Sequence, residues 1–375
     1  MNKTILYGAF GRHNFGDMLF PHIISKMLGD TKIKHNLEFC DIISRDMTGF
    51  GGHAVTSITE HIQTDLNTNV IHVGGEVGGC GIGYAVMAAA PRNDINQQEI
   101  TNLKKLKKLS LAYLLPKTLF SKPGIFVANS IGGFTNPPVS CQMFKEFNYV
   151  GYRDEKSYIT ATNNKIKCNL VPDSAVMTRK FLHDNICVRD NDNHILDLNK
   201  RVGRDYIAVQ LKASYIQKKS SQVEMNKILH DIIKKTNLPI VFFCAGTAPG
   251  HDSVKLYRKY FNNLPDSYVY FFDNYNIWNI CNIIRNARFV IGTSLHVRIL
   301  SQQYYRPRIT LCIQRKHREF ILKWDNINNV NTIINDIPNY ILKELKEHDS
   351  EADAKQLKFL ENEYLTKSTW INLLK

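Results

Sequence analysis

The sequence of 375 residues lacks several features that mark whole classes of protein. It has no uncharged apolar run approaching the ~20 residues that a transmembrane helix needs. Its amino terminus enters a strand-like run without the apolar core and small-residue cleavage site of a signal peptide. The eight cysteines are scattered and never form a CxxC pair, which disfavours both a zinc cluster and a disulfide framework. We therefore expect a cytoplasmic protein with no metal site.

Positive charge, in contrast, is abundant. The formal net charge is +14 and the isoelectric point is near 9.3, which favours acidic partners such as nucleic acid, an anionic membrane or a polyanionic substrate. We expect no nucleic-acid partner, because zinc-finger spacing, a basic region leading into heptads and aromatic-rich RNA-binding strands are all missing. Residues Lys104–Lys117 combine a basic run with an apolar one. They predict either contact with an anionic membrane surface or an ordinary charged helix whose leucines pack inside.

Strand-like runs alternate with helical patterns along the chain, which predicts an α/β fold with parallel sheets. The strand-like runs are residues 4–7, 70–73, 124–128, 149–152, 169–171, 206–211, 240–243, 268–272, 289–291 and 309–313. The chain is longer than one core supports, so we expect two Rossmann-like domains facing a cleft, with ligands at the carboxyl ends of the strands. The predicted boundaries are an N-terminal domain over 1–187, a polar linker over 188–205, a C-terminal domain over 206–330 and a helical tail over 331–375.

The segment Val290–Arg298 is the most informative in the chain, because a buried strand leads directly into a helix with cationic side chains. Gly292 permits a sharp turn, and Thr293 or Ser294 can cap the helix. His296 and Arg298 then lie in the first turn, where unpaired backbone N–H groups and the helix dipole favour an anion. The segment predicts a site for a phosphate or a carboxylate.

Three other segments follow predicted strands. Asp17 comes after a glycine-containing turn, and it either caps the first helix or takes part in binding or proton transfer. The glycine run over residues 73–83 either closes over a ligand or forms a flexible loop. Arg153 can form two hydrogen bonds to a phosphate or carboxylate, or it makes an internal ion pair beside Asp154. Asp173 ends the next strand.

Taken in order, these segments resemble the polysaccharide pyruvyl transferase family over about Thr4 to Lys316. The matching residues are Asn14, Gly16 and Asp17 in an N-x-G-D turn, Gly74 and Gly75 in a glycine cluster, Arg153, Asp154 and Ser157 in an R-D-x-x-S segment, Asp173 and Ala175 in a D-x-A turn, and His296 after a late strand. The chain departs from the family at Glu76, where a third glycine is common. It also departs before His296, where relatives commonly have R-L-H-G and this chain has S-L-H-V. One cationic contact is therefore missing, and the sequence leaves open whether Arg298 replaces it.

The resemblance implies a glycosyltransferase-B-like fold and transfer of pyruvate from phosphoenolpyruvate to two hydroxyls of a sugar. The product is a ketal, phosphate is released, and no cofactor is needed. Such enzymes act in bacterial surface polysaccharide biosynthesis, commonly on lipid-linked sugars at the inner face of the cell membrane. The resemblance therefore also predicts a cytoplasmic protein that contacts the membrane peripherally.

The resemblance further implies roles for individual residues. Arg153, His296 and Lys316 are expected to bind the donor and to support catalysis. Ser294, Leu295 and Arg298 complete the expected donor pocket in the C-terminal domain. The expected acceptor side and its loops, in the N-terminal domain, comprise Asn14, Gly74, Gly75, Glu76 and Asp173. We expect His296 to be the acid that protonates the donor, because the pKa of histidine lies near neutral pH, and Asp17 to be the base.

The sequence is compatible with two alternative functions. A glycosyltransferase of the same fold would use a nucleotide-sugar donor, because a helix N-terminus binds a pyrophosphate equally well. A non-catalytic, basic, membrane-associated relative would keep the fold without the chemistry.

Overall fold

The computed structural model describes residues 2–29, 37–62, 64–89, 101, 104, 106, 109, 111–134, 137–311, 314–327, 329 and 336–374. The chain divides into two α/β units. The first unit consists of Met1–Met177 together with Leu360–Lys375, and the second consists of Thr178–Phe359. No helix among the residues described is long and apolar enough to cross a membrane.

The first unit contains an eight-stranded sheet. Its strands are β1 Asn2–Tyr7, β2 Leu37–Asp41, β3 Arg45–Asp46, β4 Ala54–Ser57, β5 Asn67–Val73, β6 Pro123–Ile131, β7 Tyr149–Tyr152 and β8 Asn169–Leu170. The strand order is β3-β4-β2-β1-β5-β6-β7-β8, and every pair is parallel except β3 with β4. The order reverses between β1 and β5, which makes their carboxyl ends the expected ligand site of this sheet.

The helices of the first unit follow its strands. They are α1 Phe15–Leu28, α2 Ile82–Ala89, α3 Pro137–Lys145 and α4 Glu155–Asn163. The central strand β5 carries Val70, Ile71 and Val73, all buried, as expected for a parallel strand covered on both faces.

The second unit contains a five-stranded, fully parallel sheet. Its strands are β9 Ile207–Gln210, β10 Ile240–Phe242, β11 Val269–Phe271, β12 Phe289–Gly292 and β13 Arg308–Thr310, in the order β11-β10-β9-β12-β13. Its helices are α5 Thr178–Cys187, α6 Asn193–Val202, α7 Ala213–Ile216, α8 Lys219–Thr236, α9 Val254–Tyr260, α10 Ile277–Asn286, α11 Leu295–Gln303, α12 Arg315–Trp324 and α13 Ile337–Glu347. A further helix, α14 Ser350–Lys367, begins in this unit, and its residues from Leu360 onward belong to the first. The strand order reverses between β9 and β12, so the carboxyl ends of these two strands form the equivalent ligand position.

The observed division differs from the predicted boundaries at three places. Helix α5 was expected in the N-terminal domain but belongs to the second unit, where it contacts α10 and α11. The stretch 188–205, predicted as a linker, contains α6, because Asp192 caps that helix and Ile195 and Leu198 are buried along one side. The final residues Leu360–Lys375 are part of the first unit and not a separate tail.

Candidate functional site

The turn after β1 places Asp17 at the point where the first sheet reverses its strand order. Helix α1 begins at Phe15 with Asn14 as the N-cap, so Asp17 lies inside the first turn and does not cap the helix. Its carboxylate is buried and lies 3.1 Å from the Nη2 atom of Arg12. At this edge of the sheet, the carboxylate of Asp17 is therefore paired with the guanidinium group of Arg12.

Asp41 at the end of β2 fixes the same turn from the neighbouring strand. Its Oδ2 atom accepts a hydrogen bond of 2.8 Å from the backbone N–H of Gly11. Burial raises the pKa of Asp41 to about 6, although the bonds from Gly11 and Ile42 act in the opposite direction. Neither Arg12 nor Asp41 was predicted from the sequence, and the contact of Asp41 with Gly11 forms only because β1 pairs with β2.

The glycine cluster after β5 packs against Asp17. Gly74 and Gly75 have φ angles of +58° and +79°, which side chains rarely adopt, and a β-carbon at Gly75 would lie 3.7 Å from Oδ1 of Asp17. The backbone N–H of Gly132 donates to the carbonyl of Gly75 at 2.9 Å, and that of Gly78 donates to Gly132 at 2.8 Å. These bonds tie the loop to the segment that follows β6.

Arg153, directly after β7, is held between two carboxylates. Its Nη1 atom lies 2.5 Å from Asp173, and its Nη2 atom lies 3.0 Å from Glu76. Burial lowers the pKa of Arg153, but the charges of Asp173 and Glu76 outweigh this effect and raise it. A β-carbon at Gly132 would come within 2.8 Å of the Nε atom, so a glycine is needed beside the guanidinium group. The sequence allowed an internal ion pair of Arg153 with Asp154 as an alternative to ligand binding. Arg153 does form internal ion pairs, but with Asp173 and Glu76.

Asp154 itself has another role. It is the N-cap of α4 and accepts hydrogen bonds from the backbone N–H and the hydroxyl of Ser157, at 2.8 and 2.7 Å. The R-D-x-x-S segment thus has two parts. Arg153 makes ion pairs after β7, and Asp154 and Ser157 cap the helix α4 that follows.

In the second unit, β12 leads into α11 as the sequence predicts. Ser294 is the N-cap of α11, although its side chain makes no capping bond. Leu295 and His296 are the first two helical residues, and both side chains are buried. His296 therefore lies at the helix N-terminus, beside the position where the strand order reverses.

A network of polar side chains joins the strand ends around this helix. The side-chain oxygen of Gln210, the last residue of β9, accepts from the backbone N–H of Thr293 at 3.0 Å. The amide nitrogen of Gln210 donates to Oδ2 of Asp252 at 2.8 Å. Burial raises the pKa of Asp252 to about 7, against hydrogen bonds from Gln210 and from backbone N–H groups. No sequence pattern predicts this pair, because the two residues are far apart in the chain.

Arg298 points away from the N-terminus of α11. Its guanidinium group is buried and donates hydrogen bonds to Asp325, Thr310, Asn329 and the carbonyl of Ile327, at 2.6, 3.1, 2.9 and 2.6 Å. Two residues along a helix correspond to a rotation of about 200°, so Arg298 faces nearly opposite to His296. The sequence leaves open whether Arg298 replaces the missing family cation, and the contacts of its guanidinium group are with Asp325, Thr310, Asn329 and Ile327, which argues against it.

Lys316 lies in the first turn of α12 and is half-buried. It was expected on a loop after a strand reaching residue 313, but β13 ends at Thr310, and residues 312 and 313 lie outside those described. Gln314 caps α12 and its backbone N–H donates to the Nδ1 atom of His317 at 3.0 Å. Lys316 is thus placed by a capped helix.

The segment Lys104–Lys117 is described only at residues 104, 106, 109 and 111–117. Leu106, Leu111, Leu114 and Leu115 are buried in the core of the first unit. This is the ordinary alternative, in which the leucines pack inside and do not meet a membrane. Among the residues described, no group of three or more histidine, cysteine, aspartate or glutamate side chains is arranged to hold a metal ion.

Comparison with known proteins gives one family and one fold. The model of the family "Polysaccharide pyruvyl transferase" matches residues 14–311, and no curated protein matches the chain. Among solved structures, the UDP-GlcNAc 2-epimerase of Neisseria meningitidis bound to UDP-GlcNAc is 10% identical, with a TM-score of 0.58, over 100% of this chain and 99% of that chain. A structure of S. aureus MnaA with UDP is 13% identical, with a TM-score of 0.56, over 97% of this chain and 92% of that chain.

A third solved structure, the UDP-GlcNAc 2-epimerase of Methanocaldococcus jannaschii with UDP-GlcNAc and UDP, is similar to the same extent. It is 13% identical, with a TM-score of 0.55, and the match covers 93% of this chain and 94% of that chain. At such identities the likeness concerns the fold alone. The chain has an α/β fold of the glycosyltransferase-B type with mostly parallel sheets, which confirms the predicted class.

Proposed function

Because the chain belongs to the polysaccharide pyruvyl transferase family, we propose that it transfers the pyruvyl group of phosphoenolpyruvate to two hydroxyls of a sugar. The observation that carries this proposal is the family match over residues 14–311, which includes every predicted site residue except Lys316. The position of His296 at the N-terminus of α11 supports it, because such a position suits an anionic donor.

The proposed reaction conserves atoms and electrons. A protonated His296 gives its proton to the methylene carbon of phosphoenolpyruvate, and a sugar hydroxyl attacks the resulting cationic carbon and loses its proton to Asp17. The bond from this carbon to the phosphate oxygen then breaks, and the second hydroxyl closes the ketal. Of the two hydroxyl protons, one replaces the proton used for the methyl group and the other leaves with phosphate. General acid catalysis of this kind contributes about 10²- to 10⁴-fold to a rate.

Arg153 and Lys316 are proposed to bind the anionic groups of the donor. Arg153 is held by Glu76, whose side chain is 40% exposed, and by Asp173, which is buried. An incoming carboxylate or phosphate can therefore replace Glu76 while Asp173 keeps the guanidinium group in place. This exchange needs no movement of a buried group.

A thermal-shift comparison tests the donor. A ligand that binds only the folded state stabilises it by RT ln(1 + [L]/Kd), about 2.7 kcal/mol at a ligand concentration of 100 Kd. We expect stabilisation by phosphoenolpyruvate, and not by uridine- or guanosine-diphosphate sugars, at fixed ionic strength. The effect should be lost in Arg153→Ala and reduced in Arg153→Lys, which keeps the charge without the fork of donors.

A second candidate is a glycosyltransferase that uses a nucleotide-sugar donor. It is favoured by one observation, namely that similar solved structures hold UDP or UDP-GlcNAc. Stabilisation by a nucleotide sugar alone would select this candidate. Turnover of either donor would exclude a non-catalytic relative.

Once an acceptor is known, His296→Gln tests the acid. We expect turnover to fall about 100-fold or more, which is within the range for loss of a general acid. His230→Gln is the matched control, because His230 is exposed on α8 in the same unit. Retention of more than a tenth of the wild-type rate by His296→Gln would end the assignment.

We also propose that the acceptor is a lipid-linked sugar and that the protein reaches it at a membrane surface by charge. The net charge of +14 supports electrostatic attraction to anionic lipids. Sedimentation with anionic vesicles should occur at low salt and disappear at high salt, because screening shortens the range of the attraction. Neutral vesicles are the control, and no sedimentation at low salt would remove the proposal.

A further inference from the structure

Gln210 is the one polar residue of β9, whose other residues Ile207, Ala208 and Val209 are buried and apolar. It is 2% exposed and ends the strand where the second sheet reverses its order. Its side-chain oxygen accepts from both the backbone N–H and the hydroxyl of Thr293, at 3.0 and 3.4 Å. Its nitrogen donates to Asp252 at 2.8 Å. These partners fix the orientation of the amide, since only its oxygen can accept and only its nitrogen can donate.

Asp252 extends the link to a third strand. The same Oδ2 atom that accepts from Gln210 also accepts from the backbone N–H of Ala245 at 2.7 Å, just after β10. The loops that follow β9, β10 and β12 are therefore joined through two side chains. Among the residues that the structure describes, the ionisable groups that act on Asp252 include the cation Lys212 and the neutral Cys244 and Tyr257.

Thr293 transmits this arrangement to α11. Its backbone N–H and hydroxyl are held by Gln210, and its hydroxyl also accepts from the backbone N–H of Lys212 at 2.8 Å. The next residue, Ser294, is the N-cap of the helix that presents His296. The side chain of Gln210 therefore contacts the residue that directly precedes the N-cap of α11.

We infer that Gln210 and Asp252 are positioning residues that hold the loop carrying His296 in place for donor binding. The inference rests on the proposed function, because that function gives His296 its role. A buried amide and a buried carboxylate are costly in a core unless they are hydrogen-bonded, and a fully bonded network rigidifies its surroundings. An apolar residue at the end of β9 would keep the backbone bond from the N–H of Thr293 to the carbonyl of residue 210, at 3.1 Å, but it would lose both bonds to the side-chain oxygen.

The variant Gln210→Glu tests the inference because it keeps the size and changes one atom. It places a carboxylate oxygen opposite the carboxylate of Asp252. At pH 6 the two groups can share a proton and keep the contact, whereas at pH 8.5 both are charged and repel. We expect binding of phosphoenolpyruvate to be within threefold of the wild type at pH 6 and at least tenfold weaker at pH 8.5. The same variant is thus rescued by a change of pH.

Two further measurements separate positioning from general damage. The nitrogen NMR signals of the His296 imidazole, recorded without ligand, should shift in Gln210→Glu at pH 8.5 and match the wild type at pH 6. Gln217→Glu, at an exposed position on the same unit, should change neither the signals nor the affinity at either pH. If Gln210→Glu unfolds at pH 8.5, Thr293→Val replaces it, with an expected loss of affinity of three- to tenfold.

Each outcome has one meaning. Suppose that the wild type binds phosphoenolpyruvate and that Gln210→Glu has the same affinity and the same His296 signals as the wild type. This result would overturn the inference and leave the proposed function standing. Shifted His296 signals in a protein whose wild type binds no phosphoenolpyruvate would support positioning and refute the proposed donor. A loss of affinity of equal size at pH 6 and pH 8.5 would also overturn it, because the effect would not depend on the contact with Asp252.

Discussion

Arg153 is bound by two carboxylates that differ strongly in exposure. Asp173 is 1% exposed and Glu76 is 40% exposed. Removing one partner of a buried ion pair leaves an uncompensated charge and costs about 3–5 kcal/mol, whereas an exposed pair is worth about 0–1 kcal/mol. We therefore expect the contact of Arg153 with Asp173 to contribute mainly to stability, and the contact with Glu76 to affect mainly ligand binding.

We expect Asp173→Ala to lower the free energy of unfolding of the first unit by about 3 kcal/mol, and Glu76→Ala by less than about 1 kcal/mol. Urea denaturation followed by circular dichroism measures both. Asp65→Ala is the control, because Asp65 is an exposed aspartate of the same unit. Equal losses for the two variants would show that burial does not distinguish the two contacts.

Glu76 also competes with an anionic donor for Arg153. We expect Glu76→Gln to bind phosphoenolpyruvate about two- to fivefold more tightly, because a neutral amide does not compete with the anionic donor for Arg153. The substitution should change stability little, since the lost ion pair is exposed. Isothermal titration calorimetry measures this change. Weaker binding would mean that Glu76 itself holds the donor or orients Arg153 for it.

His348 gives the second unit a defined pH dependence. Burial opposes its charged form, but hydrogen bonds to Asp353 and Glu344 and the charge of Asp353 outweigh burial and raise the pKa to about 9. The pKa of an unfolded histidine is about 6.5, so this stabilisation is fully present below pH 6.5 and is lost as the pH rises through 9. We expect the advantage of the wild type over His348→Gln in unfolding free energy to fall by about 2 kcal/mol between pH 6 and pH 9.5. A constant difference across that range would contradict the assignment.

At the scale of residues, the sequence predicted candidate site residues that follow strands. It did not predict those whose contacts depend on tertiary structure. Arg153 directly follows β7, and Asp17 and His296 lie in the first turns of the helices that follow β1 and β12, as predicted from their order along the chain. Gln210 and Asp252 are 42 positions apart and become a pair only when β9 and β10 lie side by side. No local pattern contains that information.

Ser130 in β6 has a φ angle of +54° and is fully buried. The register between β6 and β7 shifts at this position, and the serine hydroxyl bonds to the carbonyl of Pro172 and the N–H of Ser174, at 2.8 and 3.1 Å. The irregular strand thereby holds the turn that contains Asp173. A side chain in the left-handed region costs roughly 1–2 kcal/mol, which glycine avoids.

We expect Ser130→Gly to be more stable than Ser130→Ala by about 1 kcal/mol, because both lose the hydroxyl and only glycine relaxes the backbone. Thermal unfolding of the two variants measures the difference. Ala128→Gly, in the same strand, is the control and should destabilise the protein, as glycine does in a regular strand. An alanine variant as stable as the glycine variant would show that the backbone at this position is not strained.

At the scale of elements, the central parallel strands were predictable and the edge of the first sheet was not. β9, β10 and β12 are nearly continuous apolar runs, because both of their faces are covered. β2 reads Leu-Glu-Phe-Cys-Asp, with three half-buried residues, and β3 has only two residues. Such short strands at a half-covered edge have no pattern that separates them from loops.

At the scale of the whole molecule, composition predicted two units but not where the chain divides. The polar stretch 188–205 predicted a linker, yet it contains α6. Ile195 and Leu198, spaced by three residues, are buried along one side of this helix. Helix α14 begins in the second unit, and the residues from Leu360 onward belong to the first. Which unit a helix joins is decided by the surface it packs on, and a single sequence does not display that surface.

Trp370 tests whether the end of the chain stabilises the first unit. It is fully buried and its indole N–H donates to the side-chain oxygen of Asn129 in β6 at 3.1 Å, and the hydroxyl of Tyr364 bonds to the same asparagine. We expect Trp370→Ala to lower the free energy of unfolding by about 3–5 kcal/mol, as for other large-to-small changes in a core.

Leu373 is the matched control for Trp370, since it lies in the same short helix, Thr369–Leu373, and is 46% exposed. Leu373→Ala should change the free energy of unfolding by no more than about 0.5 kcal/mol. Because Asn129 precedes Ser130, which holds the turn of Asp173, Trp370→Ala should also weaken the binding of phosphoenolpyruvate, and Leu373→Ala should not. A tryptophan variant with wild-type stability would mean that the final residues are attached to the first unit without supporting it.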